Sequence, residues 1–217
     1  MIRRRYVLAC LMAAAWAGGA TTANAAIVMP QMGGGMKHTD VSFDGTNITL
    51  HVDDSIATPM LRPLAAGDTL LDPNNVHTWD VLEGRAHNFQ HAWNPGGFIT
   101  LPAGGSIWIE RLSQDGALES YLRPPASPAY APVFQADGDR WEWGGAMTHN
   151  AYAVLDPLQA TYGATYRVYI GNDTTGAPLP GYGSAEVTWT WGATPVPEPA
   201  SLSLLAIGAT AIVRRRR

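Results

Sequence analysis

Through the middle of this chain, apolar and polar side chains alternate over short stretches that glycine and proline cut off. Segments His38–Phe43, Ile48–Val52, 106–112, 148–155, 165–171 and 184–191 are rich in Val, Ile, Thr, Tyr and Trp. Period-2 alternation puts successive side chains on opposite faces of a strand, and such residues favour a pleated, half-buried surface. Asp44-Gly45, residues 102–105, Asp137-Gly138 and the loop 171–183 lie between them as turn material. Helical spacing is hard to find. The expectation is an all-β chain with a single β-sandwich, Ig-like or jelly-roll-like, over residues 37–195. Residues 58–92 have room for a helical turn or two. Residues 120–139, with Pro124, Pro125, Pro128 and Pro132, read as a surface loop. Residues 26–36 read as a flexible leader; Met29, Met32 and Met36 there could bind soft Cu(I), but a disordered start is the simpler reading.

The two ends read differently. Arg3, Arg4 and Arg5 precede an uncharged apolar stretch, and Ala23-Asn24-Ala25 supplies the small-x-small pattern that signal peptidase accepts. Residues 1–25 therefore read as a cleavable signal helix, with Ala23 and Ala25 marking the cut. At the far end, Val196-Pro197-Glu198-Pro199 leads into an uncharged run, 200–213, and then Arg214, Arg215, Arg216 and Arg217. At ~1.5 Å per residue that run reaches about 21 Å as a helix, short of the ~30 Å hydrocarbon core. Such a transmembrane helix thins the bilayer or borrows length from snorkelling arginines. The arginines lie on the cytoplasmic side by the positive-inside rule.

These last residues, 196–217, resemble the PEP-CTERM sorting signal of Gram-negative bacteria: a Pro-Glu-Pro motif, a short hydrophobic helix and a basic terminus. The resemblance implies transient anchoring in the inner membrane and cleavage by an exosortase-type membrane protease near Pro197, Glu198 and Pro199. Delivery to the cell surface or extracellular matrix would follow, with exopolysaccharide as a possible companion there.

Charge and cysteine content narrow the function classes. Three of the 14 basic residues lie in the leader and four in the tail, leaving seven against 17 of the 18 acidic ones. The body is thus near −10 rather than the −4 of the whole chain, which argues against a nucleic-acid partner. Cys10, the one cysteine, leaves with the leader. The mature body then has no disulfide, no thiolate nucleophile and no Cys-type metal site.

The densest metal-type residues flank the first turn. If Asp44-Gly45 is a two-residue turn, His38 lies opposite His51; a four-residue loop instead pairs His38 with Asp53 and Asp40 with His51. Either register keeps Val41, Phe43, Ile48 and Leu50 on one face, and His38, Asp40, His51 and Asp53 on the other. Opposite Cβ atoms sit ~5 Å apart, so these side chains could share a cation, or simply form a solvated face. His149 is a further candidate. His87 and His91 would share a face if 85–93 were helical, though without the Glu of a zinc-protease motif. His77 has no metal-type neighbour in sequence.

An opening His-x-Asp-Val strand, a Leu-His-Val strand, and a late Trp-x-Trp-Gly segment with Met-x-His-Asn-x-Tyr resemble exported, surface-anchored proteins. Among these are a PEP-CTERM family repressed by a zinc-uptake regulator and the choice-of-anchor M domain. The resemblance implies a β-sandwich and the handling of a divalent metal such as zinc. By position, His38, His51 and His149 are the matching histidines, with Asp40 or Asp53 assisting. Neutral imidazoles bind metal, so affinity would fall below about pH 6.5. Nucleophile elbow, phosphate loop and dinucleotide fingerprint are missing from the sequence, and the expectation is a non-enzymatic protein. Its alternatives are a matrix protein stacking sugars on exposed tryptophans, or a secreted hydrolase. For Trp141, Trp143, Trp189 and Trp191, core packing or an aromatic ladder is the simpler role.

Overall fold

The computed structural model describes residues 26–123 and 129–196. The expected signal helix and C-terminal transmembrane helix fall outside these residues; among the described residues no helix is long and apolar enough to cross a membrane. The described chain is all-β, apart from one 3-10 turn at Thr78–Leu82. The strands are β1 (His38–Phe43), β2 (Ile48–Val52), β3 (Met60–Leu61), β4 (Arg85–Asn88), β5 (Ala92–Pro95) and β6 (Gly105–Gln114). They continue as β7 (Leu118–Tyr121), β8 (Arg140–Trp143), β9 (Thr148–His149), β10 (Ala151–Leu155), β11 (Thr161–Asn172) and β12 (Ala185–Ala193).

Three sheets form, in the orders β2-β1-β5-β9, β4-β10-β7 and β3-β12-β11-β6-β8. The first two run into one another, because β4 and β5 are nearly continuous and only Asn150 separates β9 from β10. Pairing slips by one residue there, from Asn88 opposite Tyr152 to Ala92 opposite His149. The combined layer faces the five-stranded sheet, as in a sandwich. Trp93 from the first layer lies 4.2 Å from Trp189 and 5.7 Å from Tyr166 of the second, centroid to centroid.

Alternation explains which side chains meet. Along β11, Tyr162, Ala164, Tyr166, Val168 and Ile170 turn inward, and Trp189 and Trp191 do the same on β12. Between them, Thr165 and Thr188 hydrogen-bond across the outer face, Oγ to Oγ, at 2.9 Å, and Arg167 pairs with Glu110. A smaller apolar cluster covers the outside of β4-β10-β7. It joins Phe89, Tyr121, Ala151 and Ala153 to Leu70, Leu82 and Tyr130.

Two sequence readings need correction. Residues 85–93 hold β4 and the start of β5 rather than a helix, so His87 and His91 are not a helical pair. The stretch 120–139 is only partly a surface loop: β7 enters it, and Tyr130 and Phe134 are buried. Proline content marked a break in regular structure there. It could not show that aromatic side chains among and just after the prolines reach back to the core.

Candidate functional site

The first hairpin settles the register. Asp40 faces His51 and Phe43 faces Ile48, which leaves residues 44–47 as a four-residue loop. The Asp44 carboxylate holds that loop by accepting from the amides of Thr46 (2.8 Å) and Asn47 (2.7 Å). The same bonds, Asn47 first, keep the Asp44 carboxyl below the usual carboxylate range. Gly45 supplies the left-handed φ of +95°. Thr39 and Val41 turn into the core, where the Thr39 hydroxyl accepts from the Trp189 indole at 2.7 Å. His38 and Asp40 turn outward, as does His51 on β2.

Topology then adds something the hairpin alone does not contain. β5 inserts beside β1 in parallel, with His38 opposite Ala92, and β9 follows with Ala92 opposite His149. Strands on either side of a third are about 10 Å apart. Because the intervening residue is alanine, the two imidazoles lean toward one another over its methyl group, and their centroids are 6.1 Å apart. His38 Nε2 is buried without a hydrogen-bond partner among the described residues. His149 Nδ1 lies 3.0 Å from the Phe89 carbonyl oxygen, so that nitrogen carries the proton and Nε2 keeps its lone pair. Burial lowers the His149 pKa, and the nearby Arg123 and His38 lower it further.

The other candidates go elsewhere. Asp40 accepts from the Asn94 amide at 2.6 Å. His51 is exposed. Asp53, past the end of β2, accepts from the Ser55 amide (2.9 Å) and hydroxyl (2.6 Å), bonds that lower its pKa. Among the described residues no group of three or more His, Asp or Glu side chains is placed to hold a metal ion. Of the five residues, the fold brings two together, His38 and His149.

The remaining histidines pack elsewhere. His91 is buried, stacked on Trp189 at 4.9 Å and edge-on to Trp191 at 5.4 Å, with Nε2 3.3 Å from the Thr190 carbonyl. Burial drives its pKa down to about 4. His87 is likewise buried, with its pKa lowered for the same reason. His77 stacks on Trp79 at 4.1 Å. Trp93, Trp143, Trp189 and Trp191 are buried. Trp141 packs edge-on against Phe134, and the Trp108 indole donates to the Asn172 carbonyl.

The chain leaves this body at a defined place. Beyond β12 the Val196 amide donates to the Pro157 carbonyl at 2.8 Å, and the Pro-Glu-Pro tripeptide, the uncharged run and the arginines follow directly. Comparison with protein families matches residues 195–217 to the PEP-CTERM protein-sorting motif. The chain ends in a PEP-CTERM tail. No curated protein and no solved structure matches the chain. The PEP-CTERM tail marks an exported protein that an exosortase-type membrane protease processes and sorts to the cell surface. Pro197, Glu198, Pro199 and the four terminal arginines lie within the matched residues but outside the described ones.

Proposed function

We propose that this protein is a non-enzymatic surface or matrix component: a rigid β body delivered by its tail and retained outside the cell for contacts rather than catalysis. The observation that carries this reading is the match of residues 195–217 to the sorting motif, attached to the body without a spacer. The body contributes stability without cysteine. An aromatic core of Trp93, Trp189, Trp191, Tyr152, Tyr162 and Tyr166, all fully buried, takes the place of disulfides in an oxidising compartment. The test is cell fractionation of the intact chain against one lacking residues 197–217. The intact chain is expected at the surface, shortened at its C-terminus. Equal surface delivery of the truncated chain would refute the reading.

One observation favours a second, finer role. The His38–His149 pair presents an unpartnered buried nitrogen beside a second imidazole held in one tautomer. Two neutral imidazoles are donors suited to zinc or copper. With two protein donors rather than three or four, such binding is weak and exchangeable. Zinc titration of the body by calorimetry tests it: binding is expected to disappear with His149→Ala and to survive His51→Ala. Sugar stacking is less favoured, because Trp93, Trp143, Trp189 and Trp191 are buried and Trp141 is half-buried against Phe134.

A further inference from the structure

We infer that the end of the body from which the tail departs is a membrane-facing surface, and that Leu155, Leu158 and Val196 seat it on the lipid bilayer while the tail is still attached. The inference rests on the reading of the tail as a membrane-inserted sorting signal and says where the folded body sits during that stage.

Leu155 closes β10, and Leu158 follows in the connection to β11. Both are exposed, at 53% and 70%, and Val196 is 46% exposed. The bond from the Val196 amide to the Pro157 carbonyl brings the three to one end of the fold. Pro157 between them is buried, and the Tyr162 hydroxyl accepts from the Leu158 amide at 2.9 Å and the Gln159 amide at 3.1 Å. The leucines are thus carried outward on a braced segment.

The occupant follows from the chain that continues beyond. Between Val196 and the first residue of the uncharged run, Ala200, lie only residues 197–199. Even fully extended at about 3.5 Å per residue, four steps span roughly 14 Å. A body tied that closely to an inserted segment is held within about 14 Å of it, against a headgroup layer of roughly 5–8 Å per leaflet, and so stays beside the interface. Apolar side chains on the near end then reach the interface, where apolar surface leaves water. Asp156, exposed between the leucines, keeps its carboxylate in headgroup water and limits how deeply this end sinks. Phe98 supplies the internal contrast. It is 95% exposed, more than either leucine, but it follows β5 at the opposite end. Both β4, whose Arg85 pairs with Leu155, and β5, which ends at Pro95, lie between the two ends.

Depth-dependent fluorescence quenching tests this. The full chain, with Cys10→Ser to remove its one thiol, is exported in a host without a sorting protease so that the tail is kept. It is then reconstituted into phosphatidylethanolamine–phosphatidylglycerol vesicles bearing nitroxide lipids. A polarity-sensitive label is placed singly by Leu155→Cys, Leu158→Cys, Phe98→Cys or Ser203→Cys. Headgroup-level nitroxides are expected to quench the labels at 155 and 158 at least about threefold more than the label at 98, as for groups lying within the interface. A deeper nitroxide should quench the label at 203. Labels at 155 and 158 quenched no more than the one at 98, with 203 still quenched, overturn the inference while leaving the tail reading intact. An unquenched label at 203 overturns both. If lipid quenching is missing but Leu155→Ser with Leu158→Ser slows tail removal in cells that have the protease, the surface serves a protein and the lipid assignment is wrong.

Discussion

The tail and the body of this chain carry their information in different ways. In the tail, order along the sequence is the message: a proline-rich motif, an uncharged run and four arginines, readable without folding. In the body, meaning appears only when distant segments meet. His38 and His149 are 111 positions apart in sequence, yet their rings meet edge-on because β5 places an alanine between them. A linear signal survives changes to the fold around it, whereas an assembled one does not.

The sharpest break between the two is loss of the tail. Deleting residues 197–217 should abolish surface delivery while shifting the thermal midpoint of the body by less than about 2 °C, since no core residue is touched. Scanning calorimetry beside fractionation reads both effects. A large drop in midpoint would mean that the tail is part of the fold.

Next comes the reverse experiment. Trp189→Ala removes a fully buried indole that meets Trp93, Tyr166 and His91, and should cost about 3–5 kcal/mol. Urea denaturation checks it. The tail of the molecules that do fold should still be cut.

The pH response of the body follows from its buried histidines. His91 is held at about 4 in the fold against ~6.5 when unfolded. Above pH 6.5 both states are neutral and stability is full. As pH falls from 6.5 toward 4 the unfolded chain takes up the proton and the folded one does not, so stability is lost through that window. The loss from His91 amounts to about 3 kcal/mol, with His87 and His149 shifted in the same sense. His91→Phe, which keeps a ring against Trp189, should flatten the profile. An unchanged slope would show that His91 titrates normally.

The smallest effect belongs to the outer face. His51→Ala alters an exposed strand residue and should change stability by no more than about 0.5 kcal/mol. His149→Ala loses the contact with the Phe89 carbonyl and should cost about 1 kcal/mol.

Alternation in the sequence located β1 and β2 to the residue, and most of β6, β10, β11 and β12, because each is long enough for period 2 to show. Short strands such as β3 and β8 gave too few alternations to register, β9 was read as one segment with β10, and β4 with β5 looked helical through the spacing of His87 and His91. The shared face of His38, Asp40 and His51 was legible, since any even loop preserves it. The meeting with His149 was not. It depends on a parallel pairing across more than 50 residues and on the smallness of Ala92, neither of which leaves a local mark. The bonds of Asp53 were not legible either: past the end of its strand, its carboxylate turns back to Ser55.

The account stands on the claim that residues 195–217 alone carry the address. Grafting them onto an unrelated exported β domain, in cells that possess the sorting protease, tests this most directly. The passenger should appear at the surface with its new C-terminus trimmed, and Pro197→Ala with Pro199→Ala in the graft should leave it untrimmed. A passenger that stays full-length in the envelope despite an intact graft would contradict the account, and would assign the address to the body instead.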